Sequence, residues 1–217
     1  MEECLDVEKY LPISTNTDSE IIATIDQRGE LLLQAAWKGL ELRCQLLLEW
    51  RLEPKYINST LLTSAQKGSQ TLVEHLLNHG ADIDTQDQDG ATPLLLATLN
   101  RHHSIAECLI TKNANVNIPD VYEDFPLHVA TRNRDLDIVE KLLKSHADTE
   151  VKSKSGDTAL ISAIGIGDKK LVQILLKYGA DINATRKNGE TALEFSKRKG
   201  DKRIISLLRE RIDEIEE

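Results

Sequence analysis

Aromatic side chains are scarce in this 217-residue chain, at 4% of the total: two Trp, four Tyr and two Phe. A core made from it must therefore be aliphatic, and the 40% hydrophobic content is enough to build one. No apolar run approaches the roughly 18 residues of a membrane-spanning helix, so no span is expected. Basic residues are outnumbered, 27 Lys and Arg against 36 Asp and Glu, for a net charge of −9. That balance speaks against nucleic acid as a partner, because phosphate backbones are held by clustered Lys and Arg. It also speaks against anionic membrane surfaces. Cysteine is sparse and odd in number: Cys4, Cys44 and Cys108 lie far apart with no CxxC, the pattern of free thiols in a reducing compartment. Residues 1–10 carry Glu2, Glu3, Asp6 and Glu8 and no apolar stretch, the opposite of a secretory or transit signal. These absences lead to the expectation of a soluble cytoplasmic protein, with the nucleus also open to it.

What is present is a repeat. Gly90-Ala91-Thr92-Pro93-Leu94 returns as Gly156-Asp157-Thr158-Ala159-Leu160 and as Gly189-Glu190-Thr191-Ala192-Leu193. Thr92 to Thr158 is twice 33 residues and Thr158 to Thr191 is 33 again. The skipped unit falls in register at Phe125-Pro126-Leu127-His128-Val129-Ala130. Paired apolar residues recur at the same period: Leu76-Leu77, Leu109-Ile110, Leu142-Leu143 and Leu175-Leu176. Behind them come Gly80-Ala81-Asp82-Ile83-Asp84, Asn113-Ala114-Asn115-Val116-Asn117 and Gly179-Ala180-Asp181-Ile182-Asn183. Two independent landmarks keeping one period identify a repeat architecture.

Each landmark has a physical task. Thr92, Thr158 and Thr191 can accept from the free amides of a helix's first turn. Pro93 and Pro126 follow at the first helical position, where a missing N–H is harmless. A short first helix then runs to about Asn100. Ile138, Val139, Leu142 and Leu143, repeated by Leu171, Val172, Leu175 and Leu176, give the second helix one apolar stripe. Gly80 and Gly179 suit its left-handed end. The polar run closed by Gly90, Gly156 or Gly189 predicts a hairpin-like turn leading to the next pair. A single unit cannot bury its stripe, so units must stack.

These segments resemble ankyrin repeats, whose pattern runs Gly-x-Thr-Pro-Leu-His-x-Ala, paired leucines, then Gly-Ala-Asp-Val-Asn. The resemblance implies an all-α repeat solenoid of helix-turn-helix units with short β-hairpin-like finger loops. About residues 54–209 match well. Gly29 to Leu48 is a weaker unit, with Ala35-Ala36-Trp37-Lys38-Gly39 at the inner-helix position and too few residues after it for a full finger. Six repeats are expected: an atypical N-terminal cap at 26–53, internal repeats at 54–86, 87–119, 120–152 (with an irregular finger) and 153–185, and a C-terminal cap at 186–217. Residues 1–25 form a leader in which Leu5, Val7, Leu11, Ile21, Ile22 and Ile25 could cover the first repeat. The terminal helix exposes Arg203, Arg209, Glu210, Asp213 and Glu214, as a cap should. A monomer is expected, although Ile205, Leu208, Ile212 and Ile215 could form a short dimer seam.

Catalytic and metal constellations are thin. His75 and His79 share a helix face at a ligand-like spacing but lack a third ligand nearby. His102 and His103 sit in a turn between helices, and His128 takes the family's Thr-Pro-Leu-His position, where the ring bridges neighbouring repeats. There is no Gly-x-Ser-x-Gly, phosphate loop or HExxH. Gly165 and Gly167 fall between two helices of one repeat, with Gly167 taking the turn. Neither an enzyme, a metal site nor a cofactor is expected.

In the family, partners dock on the concave face made by finger tips and exposed parts of the first helices. The corresponding residues here are Trp37, Lys38, Gln66, Lys67, Leu99, Asn100, Arg132, Asn133, Gly165, Ile166, Arg198 and Lys199, with Tyr56, Gln88, Asp89, Val121, Tyr122, Lys154 and Lys187 at the finger tips. Charge on this face is graded. Asp82, Asp84, Asp87, Asp89, Asp120, Glu123 and Asp124 precede Lys152, Lys154, Arg186, Lys187, Lys197, Arg198 and Lys199. Asn117 and Asn183, each behind Val or Ile with Leu109 and Leu175 eight residues earlier, resemble the ankyrin Asn that animal asparaginyl hydroxylases modify. The resemblance implies a protein-binding adaptor or inhibitor. An effector delivered by a bacterium, virus or symbiont is the alternative, and a ligase adaptor is disfavoured because little chain follows the last repeat.

Overall fold

The alternation of short helix, tight turn, amphipathic helix and finger governs the architecture. The structure is a computed structural model that describes the backbone of residues 18–216 and the side chains of residues 25–214. Expectations for Leu5, Val7, Leu11 and the side chains of Ile21, Ile22 and Ile215 lie outside the described residues. The described chain forms helical pairs in sequence. They are α1 (Asp18–Trp37) with α2 (Glu41–Leu48), α3 (Pro54–Lys67) with α4 (Gln70–Asn78), and α5 (Pro93–Leu99) with α6 (His103–Thr111). Then come α7 (Pro126–Arg132) with α8 (Leu136–Lys144), α9 (Ala159–Ile166) with α10 (Lys169–Lys177), and α11 (Ala192–Lys199) with α12 (Lys202–Glu216). Each first helix packs on the next first helix, and each second helix on the next second helix. The result is an all-helical repeat solenoid. Its fingers are tight turns, and among the described residues the one β element is an isolated bridge between Thr185 and Thr191.

The local causes are visible. Thr92, Thr158 and Thr191 accept from the amides of Leu95, Ile161 and Glu194 at 3.2, 3.4 and 3.2 Å. Glu194 closes a capping box by accepting from the Thr191 amide. The paired stripes of α8 and α10 are buried throughout. The core is aliphatic, extending from Leu32 to Leu208. Leu208 is fully buried inside the chain and Ile212 packs against the same core. The alternative dimer seam thus has Leu208 occupied already.

Three positions per repeat need a left-handed backbone: the finger turn, the turn between helices and the end of the second helix. In the fourth repeat they fall on Glu123, Arg134 and His146, with φ of 61°, 57° and 63°, and none of them is glycine. The equivalent positions in the fifth and sixth repeats are Gly156, Gly167, Gly179, Gly189 and Gly200. L-residues tolerate this region at a cost of about 1 kcal/mol each; the fourth repeat carries three such positions, and the third carries two, Arg101 and Asn113. Phe125, the N-cap of α7, provides no side-chain cap either.

Neighbouring repeats are also tied by a ladder that local periodicity does not reveal. Asp84, Asn117 and Glu150 each accept from the backbone amide 31 residues ahead, at Asn115, Asp148 and Asp181, over 2.8–2.9 Å. Asn117 adds a second bond, Nδ2 donating to the His146 carbonyl at 3.1 Å.

The first two pairs depart from the expected plan. α1 has 20 residues and passes through the expected boundary between leader and first repeat. Gly29 lies inside this helix and closes no finger turn. Only residues 49–53 separate α2 from α3, and Pro54 starts the helix at once. Tyr56 therefore falls within α3 and is not at a finger tip. It is 7% exposed, its hydroxyl donates to Asp26 at 3.0 Å, and its ring fills the space beside Gly29.

Candidate functional site

The side of the solenoid formed by fingers and first helices carries most of the residues expected to bind. Trp37, at the end of α1, is 62% exposed, and the Lys67 ammonium lies 3.8 Å above its ring. Lys38, Gln66, Leu99 and Asn100 are exposed beside them. Tyr122 is 52% exposed with Val121 next to it, and Lys154 from the following finger approaches its ring at 5.8 Å. Gln88, Asp89 and Lys187 are exposed at their finger tips, as are Arg198 and Lys199 at the end of α11. Such exposed side chains recur from repeat to repeat along the side formed by fingers and first helices.

Some expected contact residues have structural duties. Asn133 is half-buried and donates through Nδ2 to the Thr98 carbonyl at 2.9 Å, linking adjacent turns. Ile166 is half-buried, and its carbonyl accepts from Arg134. Gly165 is half-buried against the Phe195 ring. Tyr56 is excluded by its burial, since the shortened loop leaves no finger to carry it.

Electrostatics divide the surface. Arg132 pairs with Asp124 at 2.6 Å. Arg198 bonds Glu190 through two nitrogens at 2.7 and 2.9 Å and holds its carboxyl below the usual carboxylate range. Arg186 pairs with Asp157 at 3.0 Å and contacts Glu190. Among the described residues, Asp82, Asp84, Asp87, Asp89, Asp120 and Glu123 have no basic partner within 4.0 Å. The acidic fingers therefore keep their charge, whereas the arginines of the later repeats are largely neutralised. Asp82 and Asp87 additionally accept from their own turn amides, which fixes those fingers.

A groove of about 560 Å³ runs between α3 and the first acidic finger. Leu62, Thr63 and Leu96 line it, with Gln66, Asp87 and Asp89 among its polar wall. Sequence reasoning named Gln66 and Asp89 but missed Leu62 and Leu96, which lie one repeat apart and meet only through stacking.

The histidines hold structure together. His75 and His79 donate through Nδ1 to carbonyls one turn back, of Thr71 and His75. His102 bonds the Gln66 carbonyl at 3.0 Å, and His103 pairs with Asp135 of the next repeat. His128 Nε2 donates to the Asp157 carbonyl at 3.1 Å, bridging repeats as its motif implies. Burial lowers its pKa, so the ring is held neutral. Among the described residues no three His, Cys, Asp or Glu side chains converge on a metal-sized site. Burial pushes the Cys44 thiol up to about 11 and raises that of Cys108, which disfavours the thiolate at both. No helix among the described residues is long and apolar enough to cross a membrane.

A family model for ankyrin repeats matches the chain in three copies, over residues 32–120, 61–153 and 127–216. The mouse fibronectin type 3 and ankyrin repeat domains 1 protein is 49% identical over 39 residues, 18% of this chain and 11% of that protein. The chain thus spans a small part of that relative, and the likeness concerns the repeat itself. Ankyrin repeats are binding modules that generally mediate protein–protein interaction and are not typically catalytic. With repeat models spanning residues 32–216 and capped, striped helical pairs stacked in register, this chain belongs to the ankyrin-repeat family.

Proposed function

We propose that the chain is an adaptor or inhibitor that masks a surface of a partner protein with the face built from its fingers and first helices. The observation that carries this reading is the row of exposed side chains along that face, above all Trp37 and Tyr122. Aromatic and Arg side chains of this kind dominate interface energies. The acids at 82–89 and 120–123 and the later-finger lysines Lys154 and Lys187, all without ion-pair partners among the described residues, favour a partner that is basic opposite the early fingers and acidic opposite the later ones. Such complementarity steers approach into one orientation. The protein works as a monomer in the cytoplasm on this reading. Asn117 and Asn183 are exposed and are candidate sites for an asparaginyl hydroxylase, the Asn117 amide being reached when its bonds to His146 and Asp148 open.

The test combines affinity capture from the source cell with paired measurements on variants. Trp37→Ala and Tyr122→Ala should each change thermal stability by less than about 1 kcal/mol. Each should weaken the captured partner by about 1–4 kcal/mol if it is a hot spot. Charge reversal at Lys154 and Lys187 should slow association, with the effect shrinking as salt rises. Unchanged affinity in every variant rejects this face as the working surface.

A further inference from the structure

The finger of the sixth repeat carries a pair of residues that partner binding does not require. Asn188 is the one asparagine of the chain followed by glycine, and Asn188 and Gly189 are both exposed. The turn is closed by the Gly189 amide, which donates to the Arg186 carbonyl at 2.9 Å, with Gly189 in the left-handed region at φ 81°. The Asn188 side-chain carbonyl accepts from the Glu190 amide at 3.1 Å. That bond folds the side chain back along its own backbone, and the ring it closes passes through the Gly189 nitrogen. It also polarises the carbonyl, as a backbone N–H does wherever charge develops on an oxygen. A side chain at 189 would crowd the nitrogen; Gly189 has none, and nothing lies within 4 Å of where a Cβ would stand. Asn115 shows the contrast. It is exposed and accepts from the Asn117 amide at 3.0 Å in the same way, but the buried, branched Val116 follows it.

We propose that Asn188 is a site of self-modification, cyclising onto its own backbone and opening to isoaspartate and aspartate. Exposed turns open readily, which frees the Gly189 nitrogen from the Arg186 carbonyl. That nitrogen gives its proton to solvent base and attacks Cγ of Asn188. The N–Cγ bond forms, the Cγ–Nδ2 bond breaks, and the side-chain nitrogen leaves as ammonia. The cyclic imide then takes up a water molecule at either carbonyl. Breaking the new bond to Cγ gives aspartate. Breaking the bond to the main-chain carbonyl gives isoaspartate, with the chain now routed through Cβ and Cγ. Water is the one co-reactant, and nothing is oxidised or reduced. Either product sets a carboxylate beside Lys187. Isoaspartate also lengthens the turn that holds Arg186 on Asp157 and Glu190 on Arg198. The modification stands apart from the proposed function, whereas its consequence for binding rests on that reading: a carboxylate beside Lys187 repels the acidic part of the partner.

The experiment is timed incubation of the full-length folded protein near neutral pH, followed by peptide mapping with electron-transfer fragmentation, which separates isoaspartate from aspartate. Asn188 should be converted at least about tenfold faster than Asn115 in the same sample. Isoaspartate should appear together with aspartate, and the rate should rise with pH because the nitrogen attacks as its anion. Asn188→Ser places there the residue that the fifth repeat carries as Ser155 before Gly156. That variant should keep the parent's melting temperature and lose the parent's gain in whole-protein mass. Equal rates at Asn188 and Asn115 overturn the proposal. So does aspartate formed without isoaspartate, which would mean direct hydrolysis of the side chain. Association of a captured partner with Asn188→Asp is read separately: slower association supports the consequence for binding, and unchanged association overturns that consequence alone.

Discussion

The irregular fourth repeat offers a sharp test of how its parts hold together. Consider Phe125→Thr combined with Glu123→Gly. Glu123 sits at φ 61°, and relieving a non-glycine residue there is worth about 1 kcal/mol. The introduced threonine would accept from the His128 amide, as Thr92, Thr158 and Thr191 do from the amides three residues ahead, for about another 1 kcal/mol. His128 Nδ1 is buried and has no hydrogen-bond partner among the described residues. Thr191 Oγ1 lies 3.0 Å from the side chain of its own third helical residue, so the introduced hydroxyl is placed to donate to His128 Nδ1, for about 1 kcal/mol more. Against these stands the loss of the half-buried Phe125 ring, tilted against His128 at 5.8 Å, which costs about 1.5 kcal/mol. The net expectation is a gain of about 1.5 kcal/mol, or roughly 3–6 °C in Tm for a chain of this size. Thermal melting gives the total, and native-state hydrogen exchange in α7 and α8 shows whether the gain is local. A loss exceeding about 1 kcal/mol would show that the Phe125 ring carries more packing than its position implies and would refute the reasoning.

Gly29→Ala would place a Cβ 2.1 Å from the Tyr56 ring, so we expect a loss of about 1–3 kcal/mol, read from urea denaturation; a neutral result would mean that α1 and α3 pack differently. Asn117→Ala removes two bonds between repeats and should cost about 1–3 kcal/mol, whereas Asn183→Ala, whose side chain makes no such bond among the described residues, should cost under about 0.5 kcal/mol; equal losses in melting experiments would dismiss the ladder as a source of stability. Because burial lowers the His128 pKa, below about 6.5 the unfolded chain takes up a proton that the folded chain resists. Its contribution is therefore full above pH 6.5 and declines as the pH falls from there. Unfolding free energies at pH 7.5 and 5.5 should show this loss, and His128→Gln should reduce it.

The 33-residue period, the threonine caps, the aliphatic stripes and the irregular fourth finger were all legible in the sequence. Each depends on residues within a turn or two of one another, where backbone geometry leaves few alternatives. The resemblance to the repeat family put Trp37, Leu99 and Tyr122 at surface positions, and all three are exposed. It failed at Tyr56. Five residues after α2 cannot make a finger, and the helix begins early, so the side chain turned inward toward Gly29 and Asp26. Stacking alone decided which charges survive: the partners of Arg186 and Asn117 lie about 30 residues away, and no periodicity distinguishes a free carboxylate from a paired one. Stacking also decided that Leu208 is core while Leu42 and Leu46 face outward. Burial depends on what lies against a helix, and at the ends of a solenoid a neighbour is missing on one side.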